Sequence, residues 1–246
     1  MLKLKNTAVI LTGVLALTAV APLAASAQTT SIEFISEHTT SKTQQQIEIN
    51  SPSDYIHWLK GQAGAEETLE QFSKLSEADQ DKFIKYLNDV EVQKQVLKAF
   101  ASEQDVKLYG GDIVVSHKKG DASSSRVTPM AQNYTVHDSS YGTFMGVNVS
   151  ELMSTVTYRV EGARGSQKIT AVLSGTGLVV HNYNPLVEIT VSSESPYTSA
   201  DRKYAYIVNY FKHTYRGTGG MTYGTIKHTL SGDTQGREGR LISEIL

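Results

Sequence analysis

The chain has 246 residues, 23 Lys and Arg against 25 Asp and Glu, a formal net charge of −2 and no cysteine. The missing cysteine excludes a disulfide framework, a thiolate nucleophile and a lipid-modified cysteine. A balance this close to neutral, on the acidic side, argues against nucleic acid as a partner.

The first stretch reads as a secretory signal peptide. Lys3 and Lys5 supply the positive region, Val9 to Val20 an apolar run, and Ala25 and Ala27 the small side chains that a signal peptidase accepts, so cleavage is expected before Gln28. The run is shorter than the roughly 18 to 20 apolar residues of a spanning helix. The expectation is a secreted, extracellular product, with the look of an exported protein of a Gram-positive bacterium.

Residues 28–50 are polar and rich in Ser, Thr and Gln, and are expected to be extended or poorly ordered. Helix signals follow. Ser51 can cap, Pro52 suits a first helical position and Asp54 meets free amides, with Tyr55, Trp58 and Leu59 on one face and Gly61 and Gly64 as terminators. A second helix is expected over 65–75, a third after the capping box at Ser76, and a fourth after Asp89, where Val92, Val96, Leu97 and Phe100 recur every three or four residues. Val106 to Val115 around Gly110 and Gly111 reads as a hairpin with a two-residue turn. Residues 51–117 thus form a helical region with a hairpin, and 118–132, with three serines, a glycine and a proline, form a linker.

Beyond the linker the period changes to two. Val156, Tyr158 and Val160, then Ile169, Ala171 and Leu173, then Val187, Ile189 and Val191 alternate as strands do. Eight strands are expected, at 133–138, 142–149, 153–161, 166–174, 177–181, 185–192, 203–215 and 221–231. Residues 133–246 therefore predict an antiparallel β-sandwich of seven to eight strands, and the whole chain an α+β fold. The final segment from Gly232 is an edge strand or an ordered tail.

Charge divides unevenly, with 15 acidic and 8 basic side chains over residues 28–112 against 10 and 13 over 113–246. Solvated helix carboxylates account for this; docking of the two halves or an anionic partner would also fit.

Local catalytic motifs are missing: there is no G-x-S-x-G, H-E-x-x-H, P-loop or EF-hand pattern, and the one S-x-x-K, Ser116 to Lys119, is at the level of chance. No cofactor and no metal are expected. His213 and His228 flank a turn at 216–220, but simple pairing would set His213 near Thr222 and His228 near Ile207, leaving the imidazoles well over ~10 Å apart.

The candidate binding residues are Tyr204, Tyr206 and Tyr210, which share one face of a strand, together with a basic, aromatic patch of Lys212, Tyr215, Arg216, Tyr223 and Lys227. Tyrosine joins an apolar body to a polar tip and binds at low entropic cost. If Ile207 and Phe211 face the core, the tyrosine row is exposed; if the strand is covered on both faces, the row packs under a loop or the helices.

Three functions are compatible with these features. The first is a secreted, non-enzymatic binding protein acting on a cell-wall polymer, a membrane surface or a secreted protein. The second is an acidic pro-region, cut from a membrane-active or antimicrobial β domain near Arg126. The third is a hydrolase using dispersed groups such as Asp138, Glu151, Glu161, Glu188 and Asp201. The first is preferred.

Overall fold

The computed structural model describes residues 48–246 apart from 121, 129 and 218–220, with the backbone alone at 126–128 and 238–241. The expected signal peptide with Ala25, Ala27 and Gln28, and residues 28–47, lie outside the described residues.

Among the described residues four helices come first: α1 (Pro52–Leu59), α2 (Glu66–Ser73), α3 (Glu77–Asn88) and α4 (Val90–Phe100). Their starts follow from side-chain caps. Ser51 Oγ accepts the Asp54 amide at 3.2 Å, Ser76 Oγ the Asp79 amide at 3.2 Å, and Asp89 Oδ1 the amides of Glu91 and Val92 at 2.9 and 3.3 Å. None of the described helices is long and apolar enough to cross a membrane.

Eleven strands follow: β1 (Val106–Leu108), β2 (Ile113–Lys119), β3 (Ser123–Thr128), β4 (Ala131–Phe144), β5 (Val147–Glu161), β6 (Lys168–Asn182), β7 (Val187–Ser193), β8 (Tyr197–Thr198), β9 (Tyr204–Tyr215), β10 (Met221–Asp233) and β11 (Glu238–Ile245). One sheet runs β1-β2-β4-β5-β6 with β3 on the end of β4, the other β11-β10-β9-β7 with β8 on the end of β9. Every pairing is antiparallel. The fold is thus mostly antiparallel sheet, arranged as two layers that fit a sandwich, with the four short helices on its N-terminal side.

Three features differ from the sequence expectation. Residues 118–132 contain β3, which pairs with β4 from Ser123↔Thr135 to Thr128↔Ala131, so the serine run is a strand rather than a linker. Serine and threonine suit a solvated strand as well as a loop, and only the pairing partner decides. The first hairpin turns through four residues, 109–112, with positive φ at Tyr109, Gly110 and Gly111, because Leu108 pairs with Ile113. Finally, the strands are fewer and longer over 131–182. The β4–β5 turn falls at Met145 and Gly146, where φ is 53° and 80°, the geometry of a tight hairpin turn, in the middle of an expected strand.

Two apolar clusters fill the interior. One joins Tyr55, Leu59, Phe72, Phe83, Leu87, Leu97 and Phe100 of the helices to Ile113, Val115, Phe144, Leu152, Phe211 and Ile226 of both sheets; the other, at the far end, contains Val136, Val156, Tyr158, Ile169, Ile207 and Leu230. Helix α4 packs on both sheets. A Cβ on Gly224 of β10 would lie 2.4 Å from Leu97 Cδ2, and one on Gly142 of β4 would lie 2.9 Å from Phe100 Cζ, so glycine at both places lets the helix seat. Polar ties reinforce the junction. Tyr55 Oη donates to the Tyr183 carbonyl at 2.7 Å, Thr68 Oγ1 to Asn148 O at 3.0 Å, and Asn184 Nδ2 to the buried Gln93 Oε1 at 2.9 Å. The described residues fall within one compact unit.

Between the clusters a buried polar bridge joins the sheets. Asn209 on β9, flanked inward by Ile207 and Phe211, is fully buried; its Nδ2 donates to Ser154 Oγ on β5 at 2.9 Å, and its Oδ1 accepts from Ser193 Oγ on β7 at 2.7 Å. A buried amide with its partners satisfied pins register; left half-satisfied, it is costly. Asn209→Ala is expected to lower the unfolding free energy by about 1–3 kcal/mol by stranding the buried Ser154 hydroxyl, while the exposed Ser193 keeps the Gly177 amide and solvent. Urea denaturation measures this, with the outer-face control Thr225→Ala expected to stay within about 0.5 kcal/mol.

Candidate binding surface

On β9 the side chains alternate except at Val208, which has outer-face parity but is buried. Ala205, Ile207, Asn209, Phe211 and His213 are buried, while Tyr204 and Lys212 are exposed and Tyr206 and Tyr210 are partly so. The outer face of this sheet therefore carries Tyr204, Tyr206, Tyr210 and Lys212. Lys227, opposite Tyr210, joins them and pairs with Glu244 at 3.0 Å, while the Tyr210 hydroxyl donates to Glu194.

The remaining candidates separate from this group. Tyr215 faces inward, 9% exposed, and donates to the Asn88 carbonyl at 3.3 Å, which ties the sheet to α3. Tyr223 also turns inward, against the helix-side cluster and 6.1 Å from the His213 ring. A bulge between Thr222 and Gly224 breaks the alternation that would have placed it outside. Arg216 lies at the strand end, held by Glu188 at 3.2 Å.

One aromatic residue was missed. Tyr197 on the two-residue strand β8 pairs with Tyr206 and stacks on it at 5.1 Å and 19°, and Tyr204 follows at 6.2 Å. Tyr197 is 46% and Tyr204 39% exposed, so the three rings form an open strip. A two-residue strand has no periodicity to read, and Tyr197 offers no signal in the sequence beyond its type.

Tyr204 also forms part of an open cleft of about 660 Å³ at the end of the sandwich remote from the helices, lined by Arg164, Gly165, Gln167, Lys203, Asp233, Thr234, Gln235 and Arg237. Its residues come from the β5–β6 loop, the start of β9 and the β10–β11 turn. Arg237 is committed to Asp233, with Nε and the terminal nitrogen at 2.8 and 2.7 Å, and Asp233 Oδ1 also accepts the amides of Gln235 and Arg237. That clasp shapes the turn. Lys203 approaches Asp201 only at 3.9 Å, with the lysine side chain 64% exposed, and Arg164 has no ion pair among the described residues. A second void, about 20 Å³ between α4 and the sheets, has room for little more than one water.

The carboxylates considered for catalysis do not converge. Glu188 pairs with Arg216, Asp201 lies near Lys203, Asp138 is buried, and Glu151 is 3.8 Å from His181 Nδ1. Glu161 is exposed at the end of β5, and none of the five lines the cleft. Among the described residues no group of three His, Asp or Glu is placed to hold a metal ion.

The histidines of the turn are interior. His213 pairs with Gly224 and His228 with Asn209, two residues out of the simple register, because of the bulge and the turn. His213 Nδ1 lies 3.1 Å from the Phe211 carbonyl and so donates; His228 packs on the Phe211 ring at 4.9 Å. Burial pushes His213 down to about 4 and His228 down to about 3. Comparison with protein-family models, with curated proteins and with solved structures finds no match.

The two histidines make stability pH-dependent. The unfolded chain, with imidazoles near ~6.5, binds protons that the folded chain refuses, so stability is full above about pH 6.5 and falls as pH drops toward the folded values. Each contributes up to about 1.4 kcal/mol per pH unit in that window. Urea midpoints measured from pH 8 to 4 are expected to be flat above pH ~6.5 and to decline below it. In His228→Leu the decline is expected to be shallower.

Proposed function

We propose that this chain is an exported, non-enzymatic binding protein whose β-sandwich engages a polymer of the cell envelope. The observation that carries the reading is the continuity of the cationic cleft with the exposed tyrosine strip through Tyr204, which belongs to both. Export rests on the leader pattern of residues 1–27. The helices, in this reading, are the packing element that closes the opposite end of the sandwich.

The reading in which residues up to about 126 are a detachable pro-region meets a physical obstacle. Tyr55, Phe72, Phe83, Leu97 and Phe100 share one core with Phe144, Leu152, Phe211 and Ile226, and releasing the helices would expose that whole surface. Burying one such side chain is worth roughly 1.5–3 kcal/mol, so the sum far exceeds what a small sheet domain can lose.

Three measurements test the proposal and its rival. The protein recovered from culture fluid is expected to begin at Gln28, and a species beginning between residues 118 and 132 would favour the pro-region instead. The folded protein is expected to sediment with purified Gram-positive cell walls in a saturable manner, and failure to sediment at any accessible concentration counts against envelope binding. Residues 133–246 expressed alone are expected to lack a cooperative thermal transition.

A further inference from the structure

Resting on the binding reading above, we infer that the cleft and the tyrosine strip are one site for an acidic polysaccharide, with its carboxylate or phosphate on Arg164 and Lys203 and its sugar rings laid along Tyr204, Tyr206 and Tyr197.

The charge argument starts from which cations are available. The cleft is lined by three cationic side chains and one carboxylate, and Arg237 spends its charge on Asp233. The Asp233 carboxylate is further occupied by two backbone amides of its own turn, so the pair holds the wall of the cleft in place. Lys203 and Arg164 remain. The Lys203 ammonium is only loosely held, at 3.9 Å from Asp201, whose Oδ1 already accepts from Ser199 Oγ at 2.6 Å and from the Lys203 amide at 3.1 Å. A guanidinium and an ammonium on one open wall present a fork of donors and a point charge to an anion.

The aromatic argument adds the rest of the ligand. From the cleft wall the rings step from Tyr204 to Tyr206 at 6.2 Å and on to Tyr197 at 5.1 Å. Successive steps of this size match successive rings of a glycan chain, and a half-exposed tyrosine offers an apolar face with a hydroxyl at its edge. A neutral glycan would have no use for Arg164 and Lys203. Nucleic acid needs a track of phosphate contacts, and two available cations do not make one. An anionic lipid surface would meet the cations but leave the tyrosine strip without a role.

The test uses the full secreted chain with four probes: oligogalacturonate for carboxylate, phosphomannan for phosphate, dextran as the neutral glycan, and phosphatidylglycerol vesicles. Binding of one or both acidic glycans is expected, with dextran about tenfold weaker or more and affinity falling as salt rises. Which acidic glycan binds tells carboxylate from phosphate. Arg164→Ala with Lys203→Ala, and separately Tyr204→Ala with Tyr206→Ala, are each expected to weaken binding about tenfold. All four positions are at the surface, and unchanged thermal midpoints will confirm that the variants are folded. Dextran bound as tightly as the acidic glycans, vesicles bound in preference, or variants that bind like the parent would overturn the inference. Retention on cell walls separates the two levels: if parent and variants are retained alike, the envelope reading stands and the cleft assignment fails; if the parent is not retained, the envelope reading itself fails.

Discussion

The architecture depends on one contact, the seating of α4 between the two sheets. Leu97 lies against Gly224 on one sheet and Phe100 against Gly142 on the other, so both sheets meet the same helix at backbone distance. A helix with its side chains is about 10–12 Å across, comparable with the spacing of two directly packed sheets. At the far end no helix intervenes. A Cβ on Gly175 of β6 would come within 2.8 Å of Ile207 Cδ1, so side chains of one sheet touch the bare backbone of the other. The sandwich is therefore filled by a helix at one end and by direct interdigitation at the other.

That wedge explains the interior polar groups. Where helix and sheet meet, His213 and His228 are buried and His117 is half-buried, and the His213 Nε2 has no hydrogen-bond partner among the described residues. Neutral imidazoles are tolerated there because burial depresses their proton affinity, and the same burial makes acid a destabilising agent. One rung further, Asn209, Ser154 and Ser193 replace apolar contact with a satisfied bridge. Polar groups of this kind add little net stability but penalise every alternative register, since a slip by one residue would turn Asn209 outward and Tyr210 inward.

The same division leaves an open cleft at the opposite end of the sandwich. Loops there are shaped locally, by the Asp233 clasp on its turn and by the Ser199 and Asp201 side chains on the amide of Lys203. Neither depends on the helices.

The sequence by itself determined the local events: three capped helix starts, the helix spans to within a residue or two, and the alternation that sets Tyr204, Tyr206 and Tyr210 opposite Ile207 and Phe211. The same alternation, followed to its end, runs against counting Tyr215 in the basic patch, since its hydroxyl turns inward to the Asn88 carbonyl. These are legible because they rest on periods of two and 3.6 and on caps that act within four residues. Only the tertiary structure decided that the serine run at 123–128 pairs as a strand, that a bulge turns Tyr223 inward, and that Arg164, Lys203 and Arg237 meet in one cleft with Tyr197 close by. Pairing partners, bulges and the convergence of distant loops depend on contacts between segments far apart in the chain, and a local periodicity carries no record of them.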